Sequence, residues 1–302
     1  MRFPKGHARR ERSANTKARS TAHVESERVE VAVDGASVEL RYLAAGQAET
    51  DESPIVLLHG IGLDAAGVSW KHLLPRLARE NRVFAPDLPG HGESDAPDVA
   101  YTTSYYREAL RAFLAALDVE RVRLVGISMG GALALGHALD GGWVERLVLV
   151  DSYGLGRDAP WRPGGYGLLR VPGFDRFLSA GFDMNPAAVA GSLTGLTVAA
   201  PPEFVADVQR SITPGAARAL ARWQRDEFRA NGLRTCYRDR LAELDVPTLL
   251  IHGREDPIFP VAWSERAAER IPEANCDIIE RCGHWPPREH SEKFNRVVGE
   301  FL

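Results

Sequence analysis

Five residues, Gly126-Ile127-Ser128-Met129-Gly130, constrain this chain more than any other segment. They stand between Val122–Val125, an apolar run that reads as a strand, and a stretch ending at Leu139 that reads as a helix. A G-x-S-x-G placed between strand and helix is a nucleophile elbow. The turn is so tight that its flanking positions must be small, and glycine permits the strained backbone. The serine is pushed out at the C-terminal edge of a sheet. The helix behind it offers free amide hydrogens to a developing anion.

An elbow of this kind needs partners in the chain order Ser, acid, His. A hydroxyl is a poor nucleophile near neutral pH. It needs an imidazole to take its proton and a carboxylate to fix the imidazole tautomer. Downstream of Ser128, the apolar run Thr248–Ile251 leads into His252-Gly253-Arg254-Glu255-Asp256, which makes Asp256 the natural acid. Asp151, which follows the run Leu147–Val150, is the alternative, since it too lies at the end of a strand. The base is His284, in the loop that follows the short run Cys276–Ile279. His59 and His91 precede the serine, so chain order disfavours them. His252 reads as the end of a strand, and His290 as a cap or lining of the last helix. The oxyanion donors expected are the amide of Met129, next to the nucleophile, and that of Ile61, in the loop after the strand Ile55–Leu58. Trp285, Asp64 and Ile127 are candidate pocket residues by adjacency to these groups.

The segments His59-Gly60, Asp87 to Ser94, the elbow, His252 to Asp256 and Gly283-His284 come in the order of the α/β-hydrolases, which the chain resembles over roughly residues 30–302. The resemblance implies a mostly parallel eight-stranded sheet flanked by helices, with an inserted helical cap. Cys282 to His290, followed by Phe294-Asn295, resembles the C-terminus of the meta-cleavage-product hydrolases, which cut carbon–carbon bonds in ring-opened aromatic compounds. Ile127 stands where that subgroup usually has Asn, and Ile61-Gly62-Leu63-Asp64 where it has a Gly-rich turn with Pro. The subgroup resemblance also implies a cap arginine that holds a dienoate carboxylate. Arg170, Arg176, Arg210 and Arg222 are available for it.

Alternation of strands and helices supports the same architecture. Arg28–Val33 and Ser37–Ala44 form an opening hairpin around Asp34-Gly35, a strong turn signal. Helices are expected over Ser69–Arg79, Ser104–Leu117, Ser128–Leu139, Val261–Arg270 and Ser291–Leu302. The alternation stops between about 157 and 232, a stretch rich in Pro, Gly and Ala. We read 24–156 and 233–302 as the core and 157–232 as the cap. The apolar cap residues Trp161, Tyr166, Phe174, Phe177, Phe182, Leu193, Leu196 and Phe204 divide between cap core and pocket wall. The Pro-Gly and His-Gly steps of Asp87 to Ser94 shape the rim of the site and do no chemistry.

Composition narrows the rest. The three cysteines are too few for a disulfide framework, and no Cys/His cluster suggests a metal, so neither metal nor cofactor is expected. No apolar run approaches ~18 residues, the length that would span a membrane. Residues 1–23 carry seven positive side chains against one negative, +6, so with a whole-chain charge of −4 the remainder carries −10. That basic tail reads as disordered, and the acidic body argues against nucleic acid as a partner. A cytoplasmic setting is expected, with a small molecule as the partner and homo-oligomerisation left open. The function these readings favour is hydrolysis of a small, largely apolar carbonyl compound, first an ester, through Ser128, His284 and Asp256. Carbon–carbon hydrolysis is the alternative, and a non-catalytic ligand receptor on the same fold is the alternative of another class.

Overall fold

A computed structural model describes residues 23–47, 52–159, 167, 171 and 186–302. The basic tail, Arg170, Arg176 and the cap aromatics Trp161, Tyr166, Phe174, Phe177 and Phe182 lie outside the described residues. Eight strands form one sheet: β1 Val24–Val33, β2 Ala36–Ala45, β3 Ile55–Leu58, β4 Val83–Pro86, β5 Arg121–Ile127, β6 Trp143–Val150, β9 Thr248–Gly253 and β10 Ala274–Ile279. Their spatial order is β1-β2-β4-β3-β5-β6-β9-β10. The pairs β1–β2 and β2–β4 are antiparallel and the rest parallel. The opening turn has Asp34 at φ 50° and Gly35 at φ 76°, the two positive values that a two-residue hairpin turn needs.

The central strands are buried on both faces, and their side chains divide by a period of two. Val56 and Leu58 of β3 join one apolar cluster, with Tyr106, Phe113 and Leu133, while Ile55 and Leu57 join the other, with Trp70 and Phe294. Leu147 and Leu149 of β6 face the first cluster, Val148 and Val150 the second. Each such Leu or Ile contributes about 1.5–3 kcal/mol by leaving water. Sheet and flanking helices are fastened by helix α3, Thr103–Ala116, whose N-cap Thr102 accepts from Tyr105 N, and by α4, Met129–Leu139, behind the elbow.

The helix expected over Ser69–Arg79 is instead two single turns, α1 Ala66–Ser69 and α2 Leu74–Leu77. Pro75 is the reason: it has no N–H to donate in a helix interior and disfavours helical geometry at the residue before it. It is tolerated here because it opens the second turn.

Among the described residues between β6 and β9 are the α-helices α5 Pro186–Leu196, α6 Pro202–Ser211 and α7 Pro214–Glu227, followed by a short hairpin, β7 Phe228–Arg229 with β8 Gly232–Leu233. The prolines that break the alternation are helix openers, Pro202 and Pro214 among them, a position where the missing N–H costs nothing. The hairpin was not foreseen from the sequence. Two buried carboxylates tie this insertion to the sheet domain. Glu227 Oε1 accepts from Thr103 Oγ1 and, at 2.8 Å, from Thr235 Oγ1; its Oε2 accepts from Tyr153 Oη at 2.7 Å and Thr235 N at 2.8 Å. Asp207 Oδ2 accepts from Lys71 Nζ at 2.6 Å and Arg288 Nη2 at 2.7 Å. The chain closes with α8 Ala262–Ala268, α9 Pro286–Glu289 and α10 Ser291–Phe301.

Candidate active site

Ser128 sits between β5 and α4 at φ 55° and ψ −120°, a conformation that costs about 1–3 kcal/mol outside glycine. The surrounding glycines allow it. A Cβ on Gly126 would lie 2.3 Å from Gly130 O, and one on Gly130 would lie 2.2 Å from Leu58 O. A third, on Gly131, would lie 2.4 Å from Ser152 Oγ. The turn is held by Ser128 N donating to Val150 O at 2.9 Å and Tyr153 N donating to Ser128 O at 3.0 Å. Met129 opens α4, so its amide is among those with no intrahelical acceptor.

The loop after β3 carries Ile61, and the amides on either side of it are fixed. Gly60 N donates to Asp64 Oδ2 at 2.7 Å and Gly62 N donates to His91 Nε2 at 3.0 Å. His91 therefore keeps its hydrogen on Nδ1, which faces Pro89 O at 3.2 Å. His59 accepts from Leu88 N at Nε2, 2.9 Å, and turns Nδ1 to Gly60 O at 2.6 Å. Both rings are fully buried, 5.1 Å apart between centroids. Burial first, and the neighbouring His59 second, push the His91 pKa down to about 3. The segment Asp87 to Ser94 thus does more than shape a rim: its histidine holds the loop of the expected oxyanion donor. This link was missed in the sequence because the two segments meet only in the folded molecule.

Asp64, left open between loop support and substrate contact, is locked into the loop. It also accepts from Ala65 N at 2.8 Å and from the hydroxyl of Ser69, which in turn accepts from Trp285 Nε1 at 2.8 Å. One chain of hydrogen bonds therefore joins the β3 loop to the residue that follows His284.

The structure brings Asp256 and His284 together: Oδ2 lies 2.8 Å from Nδ1. The other oxygen of Asp256 accepts from Ile258 N at 2.7 Å and Phe259 N at 3.2 Å. Burial opposes ionisation of this carboxyl, but the imidazoles of His284 and His252 outweigh it and hold its pKa well below the usual range. Asp151 is directed elsewhere, with Oδ1 accepting from Gly253 N at 2.8 Å. His284 N donates to Leu196 O at 2.8 Å, so the His284 loop rests against the insertion. That close approach requires Gly283, where a Cβ would come within 2.5 Å of Leu196 O. Glu289 gathers the same loop by accepting from Gly283 N, Trp285 N, Val198 N and Ala199 N. His290 occupies the N-cap position of α10 without a side-chain cap bond and faces Arg281 O with Nε2 at 2.8 Å.

Ser128 and His284 open on one cavity of ≈ 420 Å³ between the sheet and the inserted helices. Trp285, Asp64 and Ile127 line it, as do Ile61, Leu63, Tyr153, Leu220, Trp223, Phe228 and Phe259. Among the described lining residues there is no Lys or Arg. Arg210 pairs with Asp207, and Arg222 donates to Val99 O and pairs with Asp98; neither lines the cavity. Asp151, Asp256 and His284 each offer a ligating atom within 4.8 Å of the others, but His252 already stands between the two carboxylates. All three cysteines are free. No helix among the described residues is long and apolar enough to cross a membrane.

The sheet order, the serine turn between β5 and α4, and the residues gathered at the strand ends define a hydrolase architecture. The chain belongs to the alpha/beta hydrolase family, whose family model matches residues 55–297. Among its relatives, 2-hydroxymuconate semialdehyde hydrolase of Pseudomonas sp. (strain CF600) is 33% identical over 274 residues, 82% of this chain and 86% of the relative. The 2-hydroxy-6-oxo-6-(2'-aminophenyl)hexa-2,4-dienoic acid hydrolase of Metapseudomonas resinovorans is 33% identical over 290 residues, 92% of each chain. Among solved structures, the meta-cleavage product hydrolase CumD of Pseudomonas fluorescens IP01 superposes with a TM-score of 0.72 at 26% identity, covering 90% of this chain and 96% of that one. The resemblance read from Cys282 to Asn295 holds: these relatives are meta-cleavage-product hydrolases.

Proposed function

We propose that this protein is a serine hydrolase of small, largely apolar carboxylic esters. Ser128 Oγ attacks the carbonyl carbon while His284 takes its proton, and Asp256 holds the imidazole with its hydrogen on Nδ1. The amides of Ile61 and Met129 receive the oxyanion. Collapse of the tetrahedral intermediate expels the alcohol, which takes the proton from His284. Water, deprotonated by the same base, then hydrolyses the acyl-enzyme. Residues 157–232 act as a cap that encloses the acyl group.

The observation that carries this reading is the cavity wall. Apart from Ser128 and His284 its described side chains are mostly apolar or aromatic, with Ser192 and Gln224 as neutral polar exceptions, and the one acidic group among them, Asp64, is met by no Lys or Arg among the described lining residues. A neutral ester suits such a wall better than a dienoate carboxylate, which would meet no cation among the described lining residues and would lie near a like charge. Carbon–carbon hydrolysis stands as a second reading because of the relatives, named as hydrolases of a muconate semialdehyde and a dienoic acid.

The two separate in a panel of 4-nitrophenyl alkanoates and ring-fission dienoates, with kcat/KM as the measure. Higher values on the neutral esters are expected. A preference for the dienoates would transfer the function to carbon–carbon cleavage. Turnover of neither class, together with failure of a fluorophosphonate to label Ser128, would make the protein a ligand receptor.

A further inference from the structure

Among the buried titratable groups that the mechanism above leaves unused are Asp151 and His252, both fully buried and beside Asp256. They arrive by register. Val150 of β6 pairs with Ile251 of β9, so the next residue on each strand, Asp151 and His252, falls side by side at the C-terminal edge of the sheet. Asp256 follows in the exit loop.

The surroundings of His252 Nε2 are oxygens: Phe259 O at 3.2 Å, Asp256 Oδ2 at 3.3 Å and Asp151 Oδ1 at 3.6 Å. A backbone carbonyl and two carboxylates at these positions are acceptors, so Nε2 must bear hydrogen. Nδ1 faces Ser264 Oγ at 2.8 Å, a hydroxyl able to donate or accept. Asp256 Oδ1 is saturated by its two backbone amides, so Oδ2 is the oxygen that two imidazoles share.

We propose that His252 is a positioning residue: Phe259 O keeps a hydrogen on its Nε2, and that N–H, 3.3 Å from Asp256 Oδ2, holds the carboxylate in line with His284. This rests on the reading of Asp256 and His284 as acid and base. Burial alone would lower the His252 pKa, but Asp151 and Asp256 outweigh it and leave it above its ordinary value. Asp151 is raised by burial, with His252 opposing. The groups that face this cluster are Asp151 from the end of β6, Asp256 and Phe259 O from the exit loop, Ser264 from α8, His284 from the base loop and, acting on Asp151 electrostatically, Glu289 of α9.

Two substitutions separate the role from simple packing. Asparagine reaches the position of Nδ1 and can satisfy Ser264 but not Asp256; glutamine reaches the position of Nε2 and restores a donor to Asp256. His252→Asn is expected to lower kcat on the best ester about 10–100-fold with KM little changed, the scale on which partners that orient a ligating imidazole act. The acid limb of kcat/KM is expected to move up by roughly 0.5–1, because Asp256 without its second donor attracts the His284 proton more strongly. His252→Gln is expected to restore most of kcat and return the limb. Equal behaviour of the two variants, or an unmoved limb in His252→Asn, overturns the proposal. If His252→Asn does not fold, ¹⁵N-histidine spectra of the unmodified protein decide: a His252 Nε2 without hydrogen at neutral pH overturns it. Ser128→Ala and Asp256→Asn run alongside. Retained turnover in those two would remove the underlying acid and base reading, whereas their collapse beside an unaffected His252→Asn removes only the role of His252.

Discussion

Ser128 stores its strain locally, at a φ of 55°, and the glycines around it bear the crowding. Alanine has the same Cβ and can adopt the same turn. Ser128→Ala is therefore expected to fold and melt as the parent does while losing turnover by about 10⁴–10⁶. Retention of more than a tenth of the parent rate would exclude Ser128 as the nucleophile. The choice between acids is also made at single atoms. In Asp256→Asn the amide oxygen is expected to stay with Ile258 N and Phe259 N, the donors that Oδ1 serves. The NH₂ group then faces His284, which is forced into the wrong tautomer, at a cost of about 10⁴ in kcat. Asp151→Asn keeps an acceptor for Gly253 N and is expected to cost far less. Steady-state rates of the two variants check the order, and a reversal would assign the acid role to Asp151.

At the scale of elements, the loop after β3 and the turn Asp87 to Ser94 form one unit through His91 and His59. Both accept a backbone hydrogen at Nε2; at His91, protonation breaks that bond and places a charge in a dry site. The folded pKa of His91, about 3, lies below its ordinary 6.5. A depressed histidine contributes stability fully above its unfolded pKa, and that contribution is lost as pH falls from about 6.5 toward 3. Within that window His91 accounts for up to ~1.4 kcal/mol per pH unit. Urea denaturation from pH 7 to 4 is expected to show a shallower loss in His91→Gln than in the parent; parallel slopes would contradict the assignment. The sequence made the elbow legible because its glycines answer a steric demand that shows in the residues themselves. The pairing of Asp256 with His284 was legible for a similar reason, as each follows an apolar strand. His91 was not, because its partner Gly62 lies 29 residues away on another loop and the two meet only in the fold; Asp64 stayed open because its tie through Ser69 to Trp285 is likewise made only there. The helix expected at Ser69–Arg79 breaks into two turns because Pro75 is not accommodated in a helix interior.

At the scale of the whole molecule the cavity is bounded by both the sheet and the inserted helices, so its shape depends on how the two are registered. Glu227 is the more deeply buried of the two ties. It is fully buried, and its acceptor sites serve donors from α3, from the segment after β6 and from the segment after the short hairpin. The donors differ in what they tolerate. The hydroxyls of Thr103 and Thr235, both on Oε1, can rotate and accept; Thr235 N, on Oε2 beside the Tyr153 hydroxyl, cannot. Glu227→Gln is thus expected to place its NH₂ toward the two threonines and its oxygen toward Tyr153 and Thr235 N, losing charge assistance but little geometry, about 1 kcal/mol. Glu227→Leu leaves buried donors without acceptors, at ~1–3 kcal/mol for each unsatisfied group. It is also expected to lower ester turnover, because Trp223 and Phe228, which line the cavity, flank this anchor on the same segment. Chemical denaturation and ester kinetics on both variants supply the check. A leucine variant as stable as the glutamine variant, with unchanged kinetics, would mean that apolar packing alone registers the insertion and that the buried carboxylate is dispensable.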